Sequence, residues 1–134
     1  MSTATPFVAV RQIMNTQPIQ IDGMSSLQEA LKLMRAHKVS ALVVQRRDER
    51  DEFGILLLTE IARLIASPTK SLARTQVYEV MIKPAPSVDA DMHIKYAIRH
   101  MTRFGLSHCA VLDDRELAGV VTLNEMTLHY AEEH

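Results

Sequence analysis

Apolar positions along the chain follow two periods in alternation. Leu27, Ala30, Leu31 and Met34 recur at i, i+3, i+4 and i+7, and Ile94, Ala97, Ile98 and Met101 repeat that spacing. The pattern predicts one face of an amphipathic helix in each place. After each helix come two uninterrupted apolar runs, ALVV then GILLL, and HCAVL then AGVVTL. Runs of that length read as strands of a largely buried sheet. Short extended segments are expected before the helices, around Ile19–Ile21 and Pro86–Val88, and a further helix after each strand pair, over 59–66 and 123–132. Ser26 with Glu29 has the form of a capping box, and Asp91 is the expected N-cap of the later helix.

The pattern is written twice. A shift of 67 residues carries Val10 onto Val77, Met14 onto Met81, Asp22 onto Asp89, Ala30 onto Ala97, Met34 onto Met101 and Val44 onto Val111 without a gap. Beyond the first hairpin the shift becomes 65, because the loop RRDERDE is two residues longer than its counterpart, and Gly54 then meets Gly119 and Glu60 meets Glu125. The expected organisation is a first repeat over 7–66, a linker over 67–76 and a second repeat over 77–134, each of order β-α-β-β-α. One unit of about 60 residues buries little surface by itself. Two copies packed sheet to sheet would bury both apolar faces.

Composition narrows the class. The chain of 134 residues is 47% hydrophobic and 23% charged, as in ordinary globular domains. Its net charge of −1, without a block of one sign, lacks the electrostatic footprint of a duplex nucleic-acid binder. The single cysteine, Cys109, excludes an internal disulfide. The first residues, MSTATPFVAV, carry no basic n-region, and no apolar run approaches the roughly 20 residues of a membrane span, so a cytoplasmic protein is expected. Six histidines raise the question of a metal, but His93 and His100 stand seven apart and no H-x-x-x-H occurs. Cys109, within an apolar strand, reads as a small buried hydrophobe, and neighbouring His108 would point to the opposite face. No glycine-rich phosphate loop or nucleophile elbow is present, so no catalytic residue is expected.

The ordered set of motifs resembles a tandem pair of CBS domains, also called a Bateman module. It is carried by VRQIM and VYEVM at the repeat starts, VSALVV and LSHCAVLD at the middle strands, and GILLLTEI and GVVTLNEM at the ends. The resemblance spans almost the whole chain, from about Val10 to Tyr130. It implies an α/β (α+β) fold of two repeats with pseudo-two-fold symmetry and a pair of clefts between them. It also implies an adenosine-containing ligand such as AMP, ADP, ATP or S-adenosylmethionine, with no cofactor required. The resemblance further implies pairing into a flat homodimer and a role as sensor or regulator, with output through an unidentified effector protein; the apolar runs and the balanced charge, not the resemblance, give no expectation of a membrane or nucleic-acid role.

Candidate ligand residues follow residue by residue. In the second repeat Thr122 would open a helix, where a hydroxyl and free backbone N–H groups suit a phosphate, and Glu125 one turn on can accept from a ribose diol. In the family that acid is most often aspartate. The same Thr-x-x-Glu also reads as a capping box. Asn124 lies between them. Gly105, Leu106, Ser107 and His108 enter the middle strand, where backbone groups can read an adenine edge, while Gly105 also suits a helix C-cap. Lys83 can meet a phosphate or simply be solvated. The first repeat offers a less complete set: Lys38, Val39, Ser40 and Ala41, then Leu57, Thr59 and Glu60. Leu57 stands where Thr122 stands, so the phosphate hydroxyl is missing. RRDERDE reads as a solvated hairpin tip.

Overall fold

The computed structural model describes residues 7–67 and 71–133. Ser26 caps α1 (Leu27–His37): its Oγ accepts from the Glu29 N–H at 3.1 Å, and Glu29 Oε1 accepts from the Ser26 N–H at 3.4 Å. The capping box forms as its residues predict. Leu27, Ala30 and Met34 are buried along the expected stripe. Ile94, Ala97 and Met101 do the same on α3 (Ile94–Arg103). The start of α3 differs from expectation. His93, not Asp91, is its N-cap, and it makes no side-chain cap bond. The Asp89 carboxylate accepts from the Asp91 N–H at 2.8 Å, which turns the chain ahead of the helix and leaves the Asp91 carboxylate to Arg11.

The architecture is mixed α/β, with two three-stranded sheets and four α-helices among the described residues. In the first sheet β1 (Gln20–Ile21) runs parallel to β2 (Ala41–Val44), which pairs antiparallel with β3 (Gly54–Leu57). In the second, β4 (Ser87–Asp89) runs parallel to β5 (His108–Asp113), which pairs antiparallel with β6 (Glu116–Thr122). The closing helices are α2 (Leu58–Ile65) and α4 (Leu123–Glu133). The order β-α-β-β-α therefore occurs twice, as expected.

The repeats in sequence and the units in space divide the chain differently. Among the described residues, one unit lies within 18–85, and the other comprises 7–17 with 86–133. The segment VYEVM starts the second repeat but joins the 18–85 unit. The Val77 N–H donates to Ser25 O at 2.8 Å, and Ile82 exchanges both backbone bonds with Ile55. VRQIM starts the first repeat but joins the other unit, where the Val10 N–H donates to Met92 O and Asn15 exchanges both bonds with Val120. Each leader thus extends the sheet of the other repeat. Of the linker, residues 68–70 lie outside the described part. The remainder closes the start of α1, where Thr75 O accepts from the Leu27 N–H at 2.9 Å.

Each unit has its own core. Ile21, Leu27, Ala30, Met34, Leu42, Val44, Leu56, Ile61 and Val77 form one. Val10, Val88, Ile94, Met101, Cys109, Val111, Val121 and Met126 belong to the other. The leader valines, Val10 and Val77, are fully buried in the core of the unit they join, so the exchange is held by packing as well as by backbone bonds.

Candidate functional site

In the unit holding the second sheet, sequence-selected residues meet where the strands end and α4 begins. His108 and Thr122 face each other across the β5–β6 ladder. Ser107 O accepts the first helical N–H, that of Leu123, at 3.0 Å. Thr122 Oγ1 accepts from the Glu125 N–H at 3.1 Å, so the threonine caps α4. Ser107 Oγ lies 2.8 Å from His108 Nδ1. His108 is half-buried, and loss of hydration lowers its pKa, which favours the neutral ring at pH 7. Asn124 and Glu125 are exposed on the first turn. The junction therefore gathers a hydroxyl, an imidazole, a carboxylate and a helix start, a set that can donate to and accept from a polar ligand.

Phe104 is the C-cap of α3, and Gly105 takes the left-handed position just after it. Its φ is +64°, and the Leu106 N–H behind it donates to Met101 O at 2.8 Å. Leu106 packs partly against the core. Lys83, grouped with these residues by sequence, lies in the 18–85 unit, where its Nζ is 2.8 Å from Asp51 Oδ2.

The matching junction in the 18–85 unit keeps the backbone and loses the side-chain chemistry. Leu58 N–H donates to Ser40 O at 2.9 Å, as Leu123 does to Ser107. Ala41 faces Leu57, and Leu57 is the N-cap of α2 without a side-chain cap bond. Thr59 is exposed, and Glu60 pairs with Arg63 at 3.5 Å. Lys38 stands in the left-handed region at φ 54°, the position Gly105 holds in the other repeat, and Val39 N–H donates to Met34 O.

The loop RRDERDE is more than a solvated tip. The Asp51 carboxylate accepts from the Arg47 N–H, from Arg47 Nε and from Lys83 Nζ, at 2.9, 3.1 and 2.8 Å. Those donors hold its pKa well below the usual carboxylate range. Pattern reading missed this anchor because its partner Lys83 is remote in sequence. The loop borders a recess of about 540 Å³ within the 18–85 unit. Of the sequence-selected residues only Lys83 lines it. No signal in one strand pattern marks such a recess; it requires comparing the two repeats position by position. Among the described residues no cluster of His, Cys, Asp or Glu could hold a metal ion, and no helix is long and apolar enough to cross a membrane.

The family model described as the CBS domain matches residues 10–67 and 77–132. The chain belongs to the CBS domain family, as a tandem pair. It is similar to the choline transport ATP-binding protein OpuBA of Bacillus subtilis, 32% identical over 116 residues, which cover 84% of this chain and 28% of that protein. It is also similar to the CBS domain-containing protein YhcV of Bacillus subtilis, 29% identical over 126 residues, covering 90% of this chain and 84% of that one. The chain thus spans little more than a quarter of the transport protein. Its fold matches that of the CBS domain pair of protein MJ0100, solved in complex with 5′-methylthioadenosine and S-adenosyl-L-methionine. There the TM-score is 0.82 at 24% identity, over 96% of this chain and 100% of that one.

Proposed function

We propose that the chain is a regulatory CBS module that binds an adenosine-containing ligand and signals to a partner protein, without catalysis of its own. The observation that carries the reading is the junction of β5, β6 and α4. There Ser107, His108, Thr122 and Glu125 converge at a helix start, the kind of place where backbone N–H groups favour a phosphate and a carboxylate can take a diol. The MJ0100 pair, with the same fold, binds 5′-methylthioadenosine and S-adenosylmethionine, which supports an adenosyl ligand; AMP, ADP and ATP belong to the same class. Leu58 and Ile65, exposed one above the other on α2, support pairing with a second copy. A cytoplasmic setting fits this reading. The ligand would act by binding one arrangement of the module better than another.

One observation favours a second reading, an interaction module without nucleotide. Thr122 Oγ1 is engaged in capping, and Leu57 supplies no hydroxyl at the matching place. A thermal-shift screen with AMP, ADP, ATP, S-adenosylmethionine and GTP as control separates the two. A ligand present at 100 times its Kd adds about 2.7 kcal/mol of stability. A shift confined to adenosyl compounds and reduced by Glu125→Ala supports the sensor. No shift in a folded protein freed of co-purified ligand leaves the interaction module.

A further inference from the structure

The two repeats place opposite chemistry at one matched position. In the unit of the second sheet, Arg11 reaches from the leader to two carboxylates: Nε to Asp91 Oδ1 and Nη2 to Asp113 Oδ2, each at 3.0 Å. The 67-residue shift puts Tyr78 on Arg11, Met24 on Asp91 and Arg46 on Asp113. The backbone confirms the match, since Arg11 N–H donates to Ala90 O and Tyr78 N–H to Gly23 O, both at 2.9 Å. In one unit a guanidinium is seated between two acids. In the other the guanidinium has become a phenol, one acid a thioether and the other acid an arginine.

The recess of about 540 Å³ opens at that altered position. Met24, Arg46, Arg47, Tyr78, Met81 and Lys83 are among the residues that line it. Asp22 is the acid in the lining, and its Oδ1 is turned to the Met24 N–H. Asp51 holds Arg47 and Lys83 in place from beside them, and the Arg46 guanidinium lies 4.9 Å from the centre of the Phe53 ring. Three cationic side chains and the Asp22 carboxylate are thus the charged groups in the lining. Met24 and Tyr78 are exposed at 66% and 50%, an apolar rim with no function in the core. A volume of this size falls in the range of small-molecule sites.

We propose that this recess binds a small organic anion. Its carboxylate or phosphate head would meet Arg46, Arg47 and Lys83, and its flat apolar body would lie against Tyr78, Met24 and Met81. The ligand takes the place, with charge reversed, that Arg11 fills in the other unit. The inference does not rest on the adenosyl reading, because Ser107, His108, Thr122 and Glu125, which carry that reading, take no part in the recess.

The test is titration of the full chain with phenyl phosphate, followed by amide NMR shifts, with phenol and inorganic phosphate as single-feature controls. Saturable shifts at Gly23, Met24, Gln45, Arg46 and Tyr78, tighter for phenyl phosphate than for either control, are expected. Met24→Asp/Arg46→Asp/Tyr78→Arg, which copies the other unit, should weaken binding at least about tenfold. Should that variant fail to fold, Arg46→Gln is the second probe, with the same direction of effect. An absence of saturable shifts, or an affinity unchanged in Arg46→Gln, overturns the proposal. Shifts confined to Ser107–Glu125 overturn it too, and would leave the adenosyl reading standing.

Discussion

Asn15 and Val120 exchange both backbone hydrogen bonds, at 2.9 and 3.1 Å, and so pin the start of the chain against the penultimate stretch of its last strand. Gly119 is a glycine because of that approach. A Cβ there would collide with the Asn15 carbonyl oxygen and crowd the Met14 thioether. In the other repeat, a Cβ on Gly54 would meet Met81 Sδ at 2.9 Å and Val44 Cβ at 3.2 Å, and Ile82 O only at 3.4 Å. Backbone cannot swing aside, but a methionine end can. Gly119→Ala should therefore cost about 3 kcal/mol and Gly54→Ala about 1 kcal/mol in urea unfolding. Equal costs would show that the two leaders do not pack as described.

Lys38 and Gly105 share the left-handed position after the first helix of their repeats, at φ 54° and 64°. The strain of a side chain there is about 1 kcal/mol, and glycine avoids it. Nothing lies within 4 Å of a Cβ built on Gly105, so its replacement tests the backbone alone. Lys38→Gly should stabilise by about 0.5–1 kcal/mol, and Gly105→Ala should destabilise by about 1 kcal/mol. A loss of stability in Lys38→Gly would assign the lysine a contact worth more than its strain.

Local and periodic features were legible in the sequence, and remote ones were not. The stripes Leu27–Met34 and Ile94–Met101, the capping box at Ser26 and the turn at Gly105 depend on neighbours within one or two helical turns, and they stand as read. Asp91 failed as an N-cap because Asp89, two residues earlier, takes its N–H into a turn. The exchange of leaders left no trace in periodicity. Tertiary contacts reveal it, among them the pairing of Ile82 with Ile55 and of Asn15 with Val120. At the candidate site Ser107, His108 and Thr122, grouped in the sequence through the family resemblance, lie together because His108 and Thr122 are partners in one β-ladder. Lys83 pairs with Asp51, an acid in a loop that charge composition alone marked as solvated.

His108 ties the candidate site to acid stability. Its folded pKa lies below the ordinary value near 6.5, through loss of hydration. Between those two values the unfolded chain binds more protons than the folded one, so stability falls as pH drops below about 6.5. Above that pH both states hold a neutral ring and the histidine no longer affects stability through protonation. Thermal unfolding of His108→Gln should be less sensitive to pH in that acid window and parallel to the parent protein above it. An adenosyl ligand that bonds the neutral ring should lose affinity over the same window. An unchanged pH slope in the variant would remove His108 as its source.

Cys109 sits next to that histidine with its side chain in the core, fully buried. Burial pushes its thiol up to about 11, because the thiolate would be stranded without hydration. At neutral pH the reactive form is therefore scarce, and the sulfur is covered as well. Labelling by a small aromatic disulfide should be slow in the native protein and should accelerate with urea in step with unfolding. Gly119→Ala, which loosens the same unit, should speed it, and Gly54→Ala, in the other unit, should do so less. Rapid labelling of the unperturbed protein, independent of urea, would mean that β5 opens locally at Cys109 without global unfolding. The strand that carries His108 would then be mobile at the very place where the candidate ligand residues converge.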